Sequence, residues 1–287
     1  MTARAELPEE VVDGPDPSTR FRRRLRPLRA ARDLVAAREL VRSLAERDLR
    51  SRYKQAAFGV AWAVAMPLLL MVVSTVFVQR VARIDSSPAP YALFSYLGTL
   101  PWAFFSSSLT SGGGSLVANN SLLNKVYFPR EVFPISSVAV AAVDLAIGTA
   151  VLGLLFAIYG YAPSVTSYWV PLLFLIQLCF TLGITFLLAG AIVYVRDIRQ
   201  FVPLLLQIGL FATPIFYGPD RLPQSTLRVY AACNPLVGVI DGYRRAVLYD
   251  QAPDWALVGP GAVTAVVVLV VGYLSLKKLE TGFADVA

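Results

Sequence analysis

The sequence predicts an all-α, polytopic membrane protein with six transmembrane helices, and three observations lead there. Six apolar stretches, 58–78, 91–117, 132–160, 168–195, 201–217 and 256–276, meet or approach the ~20 residues that a helix needs to cross the hydrocarbon core of a bilayer. Inside them a single residue, Asp144, is ionisable. The last stretch is apolar on every side, whereas a helix covering a water-soluble core keeps one polar face.

The chain then divides into a basic segment at 1–32, an amphipathic interface helix at 33–57 and one membrane domain at 58–287. With 287 residues, 56% of them hydrophobic and 16% charged, little remains for a separate catalytic domain. The absence of any His removes the commonest general base and the commonest neutral metal ligand. Cys179 and Cys233 lack a Cys-x-x-Cys spacing and are read as structural, with no metal site and no disulfide.

Taken in order, residues 1–18 are rich in Pro, Glu, Asp and Gly, a composition that predicts disorder. Residues 20–32 hold seven arginines and no acid, which suits anionic headgroups and also fits a phosphate-bearing ligand or a partner's acidic face. Leu34, Ala37, Leu40, Val41, Leu44 and Ala45 then share one helical face opposite Glu39, Glu46, Arg50 and Lys54, so this helix is expected to lie along the inner membrane surface. No apolar run precedes residue 58, so no cleavable signal peptide is expected and the N-terminus should be cytoplasmic. In that orientation 20 of the 26 Lys and Arg face the cytoplasm, leaving Arg80, Arg83, Arg221, Arg228, Arg244 and Arg245 outside. Six spans return the C-terminus to the cytoplasm.

Between spans two and three, Pro129 stops 121–128 from continuing as one helix into the third span. A short helix parallel to the membrane results, projecting Asn124, Lys125 and Tyr127 toward the cytoplasm. Arg196, Asp197 and Arg199 are expected to form a compact, ion-paired turn after span four. Pro219, Pro223, Pro235 and Pro253 break 218–255 into short pieces, of which 236–249 keeps a helical apolar face with Asp241, Arg244 and Arg245 opposite. Aromatic residues gather toward the span ends as interfacial anchors.

A central Asp costs roughly 2.5 to 3.5 kcal/mol to insert, so Asp144 needs an account. Without a His or Lys companion it is a poor proton relay, and it is expected to hydrogen-bond Ser136, Thr149 or a neighbouring helix. No Gly-x-x-x-x-Gly-Lys-[Ser/Thr] loop is present to hold nucleotide phosphates, and the run Ser111-Gly112-Gly113-Gly114-Ser115 suits close helix packing instead. If the chain works in ATP-driven transport, a separate subunit is expected to supply the ATP.

Four places carry a resemblance. The first runs from Leu44 to Pro67, with Arg47-Asp48-Leu49, Arg52-Tyr53, Gly59 and Trp62; the second is Asn119-Asn120-Ser121-Leu122-Leu123-Asn124-Lys125-Val126-Tyr127-Phe128-Pro129-Arg130-Glu131. The third is Arg196-Asp197-Ile198-Arg199-Gln200 with Leu205-Leu206-Gln207 and Thr213-Pro214-Ile215-Phe216-Tyr217; the fourth is Asn234-Pro235-Leu236 with Tyr243-Arg244 and Phe283-Ala284-Asp285-Val286. In this order they resemble the membrane subunit of type 2 ABC exporters of polysaccharides, the O-antigen and teichoic-acid export group, over about residues 38–286. The long basic N-terminal extension departs from that pattern.

The resemblance implies that Asn124, Lys125, Val126, Tyr127, Phe128, Pro129, Arg130 and Glu131 form a coupling helix seated in an ABC ATPase subunit. It implies two short external re-entrant helices whose Asn234, Pro235, Asp241 and Arg244 belong to an external gate. Two copies of the chain would part at spans one and five to make the channel. Arg47, Arg50, Arg52 and Tyr53 stand at the cytoplasmic entrance, where guanidinium forks either guide a pyrophosphate headgroup or face lipid. The implied partners are the ATPase, a second copy, a lipid-linked glycan and the bacterial inner membrane, with no nucleic acid. No cofactor is expected on this chain, with ATP and magnesium on the ATPase. Two rivals stay open: a type 2 ABC exporter of a drug or small lipid, and an integral membrane enzyme acting on lipid-linked sugars.

Overall fold

The computed structural model describes residues 37–54, 61–77, 89–120, 129–219 and 223–280. The basic segment 1–32, the projecting stretch 121–128 and the terminal motif 283–286 lie outside the described residues. Every regular element among the described residues is helical. In chain order these are α1 (Arg38–Lys54), α2 (Ala61–Val76), α3 (Tyr91–Gly113), the single turn α4 (Ser115–Ala118), α5 (Val132–Ile158) and α6 (Val170–Tyr194), which is entered through a 3-10 turn, Val165–Trp169. Then come α7 (Ile198–Ala212), α8 (Gln224–Cys233), α9 (Pro235–Leu248) and α10 (Trp255–Leu279).

Among the described residues 3 helices are long and apolar enough to cross a membrane, Val132–Ile158, Val165–Tyr194 and Trp255–Leu279. Helices α2 and α7 are apolar but shorter. The second expected span, α3, has 23 residues, and its Ser, Thr and Gly suit a protein interior better than lipid. It is the hub of the molecule, buried around most of its circumference and packed against α2, α5, α6, α7 and α9. Its polar groups bond internally: Ser95 Oγ lies 2.6 Å from Ser74 Oγ, and Tyr96 donates to the Gly148 carbonyl at 3.1 Å. The Pro101 carbonyl accepts from Gln177 Nε2 at 2.8 Å, and Tyr243 donates to the same amide at 3.2 Å.

The largest interface joins α6 to α10. Gly183 and Gly272 meet there backbone to backbone, and a Cβ on Gly272 would collide with the Gly183 carbonyl oxygen. Outward, α2, α7 and α10 expose apolar faces, among them Leu69 and Val73, Leu205 and Ile208, and Val263 and Val266.

One expectation needs correction, and one element gains a protein contact that its sequence pattern does not announce: the apolar face of α1 packs on the start of the bundle. Leu44 is buried, and Ala37, Leu40 and Val41 pack with it against Leu116, Val132 and Phe133, because the start of α5 offers apolar surface. The fifth span was expected to reach residue 217 but ends at Ala212, since Thr213 is held extended by the proline that follows it.

Candidate functional site

Helices α1, α2, α3 and α5 border a cleft of about 500 Å³. Met66 and Pro67 of α2 and Leu100 and Phe104 of α3 supply apolar wall, while Ser106, Ser107, Thr110 and Ser111 recur at the spacing of one helical face. Ser106 and Thr110 donate back to the Ala103 and Ser106 carbonyls at 3.2 and 2.8 Å, which leaves their oxygens able to accept from a bound molecule.

Asp144 sits in this cleft, and its partners come from α1. Arg52 Nη1 donates to Asp144 Oδ2 at 2.5 Å, and the Tyr53 hydroxyl donates to Oδ1. Arg52 Nη2 also reaches Ser111 Oγ at 3.4 Å. A neighbouring helix thus satisfies Asp144, while Ser136 and Thr149 spend their hydroxyls on the Phe133 and Leu145 carbonyls of their own helix. Burial, and then the hydrogen bond to Asp144, push the Tyr53 phenol up to about 12, so it stays a donor at neutral pH. The ion pair makes the cleft electrically balanced. Of the other entrance residues, Arg47 is held by Asp48 Oδ1 at 2.9 Å and Asn119 Oδ1 at 2.8 Å, and Arg50 is exposed, 4.0 Å from Glu46.

Of the eight coupling residues, 124–128 lie outside the described residues, while Pro129, Arg130 and Glu131 lead into α5. Glu131 is only 1% exposed and accepts from Lys277 Nζ at 2.6 Å. Lys277 also reaches Glu280 at 3.1 Å, and Arg130 donates to the Glu280 carbonyl at 3.0 Å. The sequence reading missed this cluster. Lys277 was counted there only as a topological charge, and no local spacing signals a pair this far apart in the chain.

Among the expected gate residues, Asn234 caps α9 by accepting from the Leu236 amide at 3.2 Å and donates to Thr213 Oγ1 at 3.1 Å. Pro235 occupies the first turn of α9, where its missing N–H costs nothing. Asp241 accepts from Arg245 Nε at 2.9 Å. Arg244 requires a correction, because it is not on a polar face: it is 1% exposed. It donates to the carbonyls of Phe94 at 3.2 Å, Pro214 at 2.8 Å and Tyr217 at 3.3 Å, and to that of Ile215. Its guanidinium carbon lies 3.6 Å from the Phe94 ring centroid. The cause is the irregular backbone at 213–217, whose carbonyls lack a helical ladder and take their donors from α9. Gly98 makes room, since a Cβ there would lie 2.5 Å from Arg244 Nη2. Among the described residues no three His, Cys, Asp or Glu converge as a metal site.

Comparison with known proteins follows the same lines. A family model described as "ABC-2 type transporter" matches residues 39–248. An O-antigen export system permease protein RfbA of Myxococcus xanthus is 32% identical over 259 residues, covering 90% of this chain and 99% of that protein. The protein of the same name from Klebsiella pneumoniae is 28% identical over 249 residues, covering 86% and 95%. The polysialic acid transport protein KpsM of Escherichia coli is 27% identical over 257 residues, covering 86% and 91%.

Proposed function

We propose a function from one premise: this chain belongs to the ABC-2 type transporter family. It is the permease subunit of a polysaccharide exporter, a transport protein and not an enzyme, with ATP hydrolysed on a separate subunit. The observation that supports a glycan cargo is the charge-balanced cleft with four hydroxyls on one face of α3. A polymer of hydroxyls exchanges hydrogen bonds with such a face while its ring faces lie against the apolar wall opposite.

In this reading the polymer travels on a lipid carrier and leaves the cytoplasm through a bacterial inner membrane. Each subunit makes six spans with both termini inside, two subunits meet along α2 and α7, and α8 and α9 form the external gate. The ATPase, carrying ATP and magnesium, docks on 124–131. Arg50 remains as a guide for an anionic carrier headgroup, while Arg52 is committed to Asp144 and Arg47 to Asp48 and Asn119. Depleting the subunit in its native cells and analysing lipid-linked glycans tests the cargo. Accumulation of undelivered polymer inside the cell is expected; normal surface glycan with no accumulation would overturn the assignment.

A further inference from the structure

The residues just before α5 are bonded to the end of α10. Arg130 and Glu131 precede α5, and Lys277 and Glu280 close α10. Lys277 Nζ lies 2.6 Å from Glu131 and 3.1 Å from Glu280, and Arg130 Nε lies 3.9 Å from Glu280 Oε1. Two cations thus meet two anions and the cluster sums to no charge. Glu131 Oε1 is buried with no hydrogen-bond partner, so Lys277 alone among the described residues compensates this carboxylate. A desolvated ion pair seldom stabilises more than apolar packing of the same volume, so stability is a weak reason to keep one here.

Position supplies a better reason. Helix α10 continues from this cluster to the crossing with α6, where Gly183 and Gly272 touch with no side chain between them to absorb a shift. The start of α5, the end of α10 and the middle of α6 therefore form one stiff path. Helices α2 and α7 pack mainly on α3, with smaller contacts to α5 and α6 respectively.

We propose that Arg130, Glu131, Lys277 and Glu280 form the joint that carries a push received at 129–131 into α10 and, through the glycine crossing, into α6. Glu131 and Lys277 are then positioning residues for transport. The inference rests on the reading that an ATPase docks on this segment.

The test uses the full chain in complex with its ATPase in lipid nanodiscs, following backbone amide exchange with and without magnesium-ATP and vanadate. In the native complex, nucleotide should change exchange at both 129–135 and 272–280. In Lys277→Met the change at 129–135 should persist and that at 272–280 should be lost, and Lys277→Arg, which keeps a cation in reach of both carboxylates, should restore it. A nucleotide-dependent change at 272–280 that survives in Lys277→Met overturns the proposal. So does an α10 that already exchanges faster without nucleotide, because that marks a merely structural pair. Should Lys277→Met not fold, Glu131→Gln is read in the same way, loss supporting the joint and persistence overturning it. A native complex that responds at 129–135 but not at 272–280 sinks the joint alone; one that binds no ATPase sinks the functional reading with it.

Discussion

Arg244 replaces a missing stretch of helix with a single side chain. Where α7 stops at Thr213-Pro214, the carbonyls of 213–217 lose their ladder, and a planar guanidinium with five N–H groups can serve several of them at once. The cation also lies on the Phe94 ring and bonds the Phe94 carbonyl, so one residue ties α9, α3 and the end of α7 together. Removing it would leave buried carbonyls without donors. Arg244→Leu should therefore lower stability by on the order of 3 kcal/mol. Arg244→Lys should recover less than half of the loss, because an ammonium is a point donor and cannot span the same set. Thermal melting of the detergent-purified subunit measures both, and a Lys variant as stable as the native chain would contradict the fork geometry. Asp144 poses the opposite problem, a carboxylate on a largely apolar helix, and the solution is charge neutralisation by Arg52 with a further hydrogen bond from Tyr53.

Helices show how contact distance sets tolerance. At the α6–α10 crossing a Cβ on Gly183 would sit 2.6 Å from the Val268 carbonyl oxygen, whereas one on Gly153 of α5 meets nothing within 4 Å. Gly272→Ala should thus force the two helices apart at a cost of about 1–3 kcal/mol. Gly153→Ala, gaining helix propensity in open space, should be neutral or stabilising by roughly 0.5–1 kcal/mol. The pair of melting temperatures checks the claim, and equal effects would mean the crossing is looser than drawn. At this scale the sequence was most legible. Apolar runs placed every long helix to within a few residues, because the hydrophobic pattern is a local property of the chain. Ends were less legible: α7 stops early because Pro214 acts on Thr213, and α3 breaks at Gly113 within its glycine run. The pairings that build the site were not legible at all. Arg52 with Asp144 and Glu131 with Lys277 join residues 92 and 146 positions apart, and no periodicity reports a contact at that range.

The molecule as a whole is unevenly covered. Helix α10 exposes valines but has 25 residues, enough to stand in lipid alone. Helix α7 has 15 residues, about 22 Å at ~1.5 Å per residue against ~30 Å of hydrocarbon, and Val202 is its single buried residue. Its outer surface carries Phe201, Leu205 and Ile208 together with the exposed amide of Gln207, which lipid cannot hydrogen-bond. A short helix with an exposed amide gains more from a protein neighbour than from lipid, and α2, 16 residues long with Leu69 and Val73 exposed, is in a similar position. A second copy seated across α2 and α7 would cover both and would put the hydroxyl-lined cleft, which α2 borders, beside the subunit boundary. In a background with Cys179 and Cys233 replaced by Ala, Ile208→Cys and Val73→Cys should each give a disulfide-linked dimer under mild oxidation in native membranes. Val266→Cys, on the exposed face of α10, should stay monomeric. Ile208 is 59% and Val266 54% exposed within one subunit, so accessibility alone does not separate them. Crosslinking at 266 with none at 73 or 208 would move the interface to α10 and leave the short helices to face lipid.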